Sequence, residues 1–126
     1  MLQQDFEKLV ADSVASLPKH IQKAMDNVAI VVEARPSAYE LKQSGTRVGA
    51  ILLGLYQGVP KTTWGRAFGQ ILPDKITIFQ ESIEKLASSA DDIAELVRLV
   101  VWHEIAHHFG FDEKKVRELE RKRKKI

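Results

Sequence analysis

The chain has 126 residues, 44% of them apolar and 29% charged, the composition of one soluble globular domain with enough chain for a single core. It has no cysteine, which excludes disulfides and thiolate metal sites, so any metal must be held by His, Asp or Glu. The formal charge of +2 is uneven: Lys114 to Ile126 carries eight Lys or Arg against two Glu, a net of +6, which leaves −4 for the rest.

The opening Met1-Leu2-Gln3-Gln4-Asp5-Phe6-Glu7 is polar and acidic, without the basic start and apolar centre of a signal peptide. No apolar run approaches the length of a membrane span. A cytoplasmic protein with no membrane contact is the expectation. Leu2, Phe6, Leu9, Val10, Ser13 and Leu17 fall at helical spacing, which predicts an amphipathic helix ending near Pro18. A shorter helix is predicted from Lys19 to Asp26. Val28 to Glu33 is short and β-branched, the pattern of a buried strand. A short helix follows from Ser37 to Ser44, closed by Gly45. Ala50 to Tyr56 and Lys75 to Phe79 read as a second and a third strand, and Glu81 to Ala87 as helix.

The connection from Gly58 to Pro73 is long for a compact domain, and such loops are often functional. Its Trp64 and Phe68 can wall a cleft, and its Arg66 can face a substrate carbonyl or carboxylate; the alternative is a surface loop with its aromatics tucked onto the core. The elements together predict an α+β fold, a small sheet of about three strands packed by helices, in a single domain over residues 1–126.

The last long helix, near residues 91–109, carries the most informative motif, His103-Glu104-Ile105-Ala106-His107. Residues four apart on a helix lie about 40° apart around the axis, so both imidazoles leave one face and can meet at one metal ion. Glu104 lies about 100° away and reaches a water on that metal without ligating it. Two neutral nitrogen ligands beside a carboxylate base is the donor set of zinc hydrolysis. The run Asp92 to Trp102 leads into the motif with no Gly or Pro, and Asp91 or Asp92 can cap it. An apolar helix face holding two histidines needs polar partners for them, and a metal supplies these. His108 points away from His107 and reads as a helix-end residue or as a support behind a ligand.

Gly110 stands seven residues after His103, where a helix can end in a left-handed turn. Glu113 stands ten residues after His103, at the place where H-E-x-x-H-x-x-G-x-x-H zinc peptidases carry their third ligand. The expected metal set is therefore His103, His107 and Glu113 around Zn2+, with a fourth position open to water. Asp112, and later Glu118 or Glu120, are the other carboxylates that can fill the third place. Asp112 can also cap the basic helix predicted for residues 114–126. That tail can meet nucleic acid or an acidic partner, although most runs of this kind are solvated helix ends.

The motif Trp102-His103-Glu104-Ile105-Ala106-His107-His108-Phe109-Gly110-Phe111-Asp112-Glu113, with Gly54-Leu55-Tyr56-Gln57-Gly58-Val59-Pro60 and Leu72-Pro73-Asp74-Lys75-Ile76-Thr77-Ile78-Phe79, resembles a family of short bacterial zincin-like metallopeptidases. The resemblance implies a minimal zincin fold, with a small mixed sheet beside the active-site helix, and an acidic third ligand at Glu113. No methionine follows the motif, so the turn that underlies the metal in larger relatives is absent. No sizeable second subdomain follows either, which implies an open, shallow cleft. The expected activity is zinc-dependent hydrolysis of peptide bonds in a peptide or flexible protein segment, with Glu104 taking the proton of the metal-bound water. Tyr56 or Arg66 can assist at the oxyanion. Two other readings keep the metal: a non-proteolytic protein that binds nucleic acid or a partner through its tail, and a zinc hydrolase acting on another bond.

Overall fold

A computed structural model describes residues 1–25, 27–46, 50–58 and 73–109, together with Lys114 and Glu118. Among the described residues eight elements follow in chain order: α1 (Gln3–Ala15), α2 (Lys19–Ala24), β1 (Val28–Glu33), α3 (Ala38–Ser44), β2 (Gly54–Gln57), β3 (Asp74–Phe79), α4 (Gln80–Leu86) and α5 (Ala90–His108). The fold is α+β, as the periodicities predict. The long connection with Trp64, Arg66 and Phe68, the Gly110 break and nearly all of the basic tail lie outside the described residues. No helix among the described residues is long and apolar enough to cross a membrane.

The sheet has the order β1-β3-β2. β3 is its centre, parallel to β1 with Ile30 opposite Ile76, and antiparallel to β2 with Tyr56 opposite Ile76. Both faces of β3 are covered, since Ile76, Thr77, Ile78 and Phe79 are all fully buried. The face bearing Ile30, Ile76 and Ile78 packs on α5. α1 lies against α5 in turn. Phe6 and Val10 of α1, Ile76 and Ile78 of β3, Ile83 of α4 and Val97, Val101 and Ile105 of α5 form one core. Burying each such side chain contributes on the order of 1.5–3 kcal/mol.

β2 is shorter than its apolar run suggests. It starts at Gly54 rather than Ala50, and Ile51 is half exposed. The ladder can extend only where β3 offers a partner, and its last rung is the Phe79 N–H donated to the Leu53 carbonyl at 3.0 Å.

The opposite sheet face carries α3. Ser37 caps this helix in a reciprocal box with Glu40: the Glu40 N–H donates to Ser37 Oγ at 3.1 Å, and the Ser37 N–H to Glu40 Oε1 at 2.9 Å. Gly45 closes the helix in the left-handed region, φ 73°. Glu40 is buried and meets Glu33 of β1, whose other neighbour is Lys75 Nζ at 3.7 Å. Burial, then the Glu40 charge and the hydrogen bond to it, push the Glu33 carboxyl above its ordinary range, against the pull of Lys75. Burial alone raises Glu40 as well. The Ser37 hydrogen bonds, the Glu33 carboxyl and the Lys75 charge outweigh it and hold Glu40 low.

The raised Glu33 contributes stability that is complete below its unfolded pKa and is lost as pH rises through the folded one. Glu40 does the reverse: its contribution is present above its unfolded pKa and is lost as pH falls through the depressed folded one. Glu33→Gln keeps a donor for Glu40 and removes the like charge. It is expected to stabilise the protein at neutral pH by about 0.5 kcal/mol, small because Glu33 is partly solvated, with the gain fading toward about pH 4. Urea midpoints at the two pH values check this, and a variant less stable at neutral pH contradicts it.

Candidate metal centre

α5 positions the site. Its 19 residues contain no Gly or Pro, and its first turn is fastened by Ser89, whose hydroxyl accepts the Asp92 N–H at 3.1 Å. The cap is therefore Ser89 and not Asp91 or Asp92. Asp92 instead accepts the Ser88 N–H at 2.9 Å, and its charge suits the positive end of the helix. Val97, Val101 and Ile105, at successive four-residue steps, are at most 1% exposed. That stripe fixes the rotation of the helix, and His103 and His107 then emerge at the rim, partly buried.

The two imidazoles converge. His103 Nε2 and His107 Nε2 are 3.3 Å apart, with ring planes at 64° and centroids 4.9 Å apart. Two tetrahedral zinc ligands with Zn–N bonds of about 2.0–2.1 Å hold their nitrogens roughly 3.3–3.4 Å apart. The separation of the pair matches that of two zinc ligands. Glu104 Oε2 lies 4.0 Å from His103 Nε2, beside the pair, while the Glu104 arm is buried at 8% exposure. Glu113 and Asp112 lie outside the described residues, and among the described residues no third His, Asp or Glu completes a metal cluster.

Glu104 is buried because β2 runs against it. A Cβ built on Gly54 would stand 2.7 Å from Val100 Cγ1 and 3.2 Å from Glu104 Cγ.

At the end of α5 a second set of contacts joins helix and sheet. His108 Nδ1 is 3.0 Å from Asp74 Oδ2, and the Tyr56 hydroxyl donates to the same oxygen at 2.9 Å. The Tyr56 and His108 rings meet edge-on, with centroids 5.8 Å apart. His108 thus supports the helix end behind His107, as its position after the motif suggests. Tyr56 differs from expectation: it gives its single proton to Asp74, so its hydroxyl belongs to this clamp rather than to an oxyanion. Arg66, the other residue considered for that role, lies outside the described residues. Asp74 itself was not legible as important. Its partners are 18 and 34 residues away in sequence.

A helix bearing two converging imidazoles and an adjacent carboxylate, laid against a small mixed sheet, defines a zincin-type architecture. The sequence model of the zincin-like metallopeptidases matches residues 25–123, and the chain belongs to that family. It is also similar in structure to a conserved hypothetical protein from Thermo thermophilus, with a TM-score of 0.59, 20% identity, and coverage of 86% of this chain and 94% of that one. That likeness establishes the shared fold. No curated protein matches the chain.

The clamp is expected to contribute to stability. Asp74→Ala removes the shared acceptor of the Tyr56 hydroxyl and the His108 ring in a buried corner and is expected to cost roughly 2–3 kcal/mol, against about 1 kcal/mol for Tyr56→Phe. Denaturant unfolding of the metal-free protein measures both; equal, near-zero losses would remove the clamp from the account.

Proposed function

We propose that this protein is a zinc-dependent peptidase in which His103, His107 and Glu113 hold the metal and Glu104 is the general base. One observation carries the reading: the two Nε2 atoms stand 3.3 Å apart, a zinc-ligand separation. The Glu104 carboxylate lies beside them, and family membership supports the same chemistry. When bound, zinc polarises the scissile carbonyl and makes water acidic enough to react near neutral pH. Glu104 accepts the proton of the attacking water and returns a proton to the leaving amine. Its short buried arm restricts the carboxylate to one side of the imidazole pair.

The edge of the sheet supports a peptide as substrate. Leu53 lies opposite Phe79 and accepts its N–H at 3.0 Å. In an antiparallel ladder the next residue, Gly54, then turns its N–H and C=O away from β3. An extended peptide added at that edge would run past Glu104. Such a strand would come from a flexible segment, since strand addition needs an extended backbone free of other partners.

Glu104→Gln is expected to keep near-stoichiometric zinc and to lose about 10²–10⁴-fold in turnover of a peptide library. Lost zinc in a folded variant would make Glu104 a ligand, and unchanged turnover would remove it from the chemistry.

The third ligand is tested separately. Glu113→Ala leaves two histidines and is expected to weaken zinc binding by at least about 100-fold. Asp112→Ala is expected to cost only a helix cap, about 0.5–2 kcal/mol of stability. Zinc titration of the two variants decides: loss in Asp112→Ala alone moves the ligand by one residue, and loss in neither places it elsewhere in the chain.

A further inference from the structure

Gly54 lies in β2, where glycine weakens a strand unless something needs the space. Its backbone does not require glycine, because among the described glycines only Gly45 has a positive φ. The space is what matters. A Cβ at position 54 would meet Val100 Cγ1 at 2.7 Å, Glu104 Cγ at 3.2 Å and the Thr77 carbonyl oxygen at 3.3 Å. These neighbours differ in how they can yield. Thr77 belongs to the backbone of the central strand and is fixed. Val100 belongs to the core. The Glu104 arm alone ends in a group at the rim, 4.0 Å from His103 Nε2.

We infer that Gly54 is a positioning residue for Glu104: its missing side chain makes the seat in which the Glu104 arm lies, and so sets where the carboxylate stands relative to the imidazole pair. The inference rests on the reading of Glu104 as the base. Apolar atoms sit at ease about 3.5–4.0 Å apart, so a methyl at position 54 would push the Glu104 Cγ by roughly 0.3–0.8 Å. Cγ is one bond from the carboxyl carbon, and the push passes directly to the oxygens. Misplacing a catalytic group by about 1 Å costs on the order of 100-fold in rate. A smaller displacement is expected to cost about 10-fold in kcat. Substrate binding should change little, since alanine keeps the backbone N–H and C=O.

The tightest conflict, with Val100, is structural, and it must be removed for the test to speak about Glu104. Val100→Ala deletes the methyl at 2.7 Å and leaves the Glu104 contact in place. The comparison is therefore between Val100→Ala and Gly54→Ala/Val100→Ala, in the full-length zinc-loaded protein. The double variant is expected to bind one zinc as Val100→Ala does, to keep KM within about 2-fold, and to lose about 10-fold in kcat. Its crystal structure is expected to show the Glu104 carboxylate moved relative to His103. If kcat matches that of Val100→Ala, or if the carboxylate has not moved, the inference is wrong and Gly54 serves packing alone. If the double variant does not fold, adding Glu104→Ala removes Cγ and should restore a folded, zinc-binding protein. A triple variant that still fails to fold assigns the conflict to Thr77 and overturns the inference. Wild-type protein that holds zinc and cleaves no peptide sinks the peptidase reading instead; the crystal structure of the double variant then decides the positioning role by itself.

Discussion

The rotational setting of α5 governs the site. A helix that buries Val97, Val101 and Ile105 completely has one orientation about its axis, because turning it would expose that stripe at a cost of roughly 1.5–3 kcal/mol per side chain. Once the stripe is set, every other residue of the motif has its direction. His103 and His107 reach the rim on one side, Glu104 turns inward beneath β2, and His108 faces Asp74. The core thus aims both histidines at one rim, where their Nε2 atoms stand 3.3 Å apart. A metal held by this pair, as proposed, would meet nitrogens that the fold has already brought together, which would lower the ordering cost of binding.

The sheet holds the helix at two points. One is polar: Asp74 at the start of β3 receives Tyr56 from β2 and His108 from α5, so three elements share one carboxylate. The other is steric: β2 comes close enough at Gly54 to touch the Glu104 arm. The two are spaced along α5 on either side of His107. Between them the proposed ligand cannot tilt without disturbing a buried charge-assisted contact or a close-packed one. Sites built on such supported elements keep their geometry better than sites built on loops.

Much of this arrangement was legible in the sequence, and the parts that were not have physical reasons. Four-residue spacing on an uninterrupted helix is a local property, so the direction of His103 and His107 could be read from the chain alone. The β-branched run at Val28 to Glu33 and the alternation before Phe79 marked strands for the same reason. The start of β2 was misplaced by four residues because an apolar run records burial, whereas a strand needs a partner, and the partner lies some twenty residues further on. The cap of α5 was misplaced because Ser88, Ser89, Asp91 and Asp92 all have capping side chains, and tertiary packing chooses among them. The Asp74 clamp was invisible because nothing local records a contact across 34 residues. Gly54 carried an ambiguous signal: a glycine in a strand marks a bulge, a bend or a close approach, and only the neighbouring helix says which.

Glu104 joins the buried interior to the rim. Its methylene arm is buried and lies, like Val100, against β2 at Gly54, while its carboxylate stands beside His103. A carboxylate with a long free arm would sample many positions and lose entropy each time it served as a base. Burying the arm removes that freedom during folding, where hydrophobic contacts of the core offset the cost. The same burial has a directional consequence. Among the described residues β2 lies against the arm, and the carboxylate stands on the side where the imidazoles emerge. In the proposed reading, an extended peptide added at the edge of β2 would pass the same carboxylate, so the strand that seats the proposed base would also guide the substrate to it.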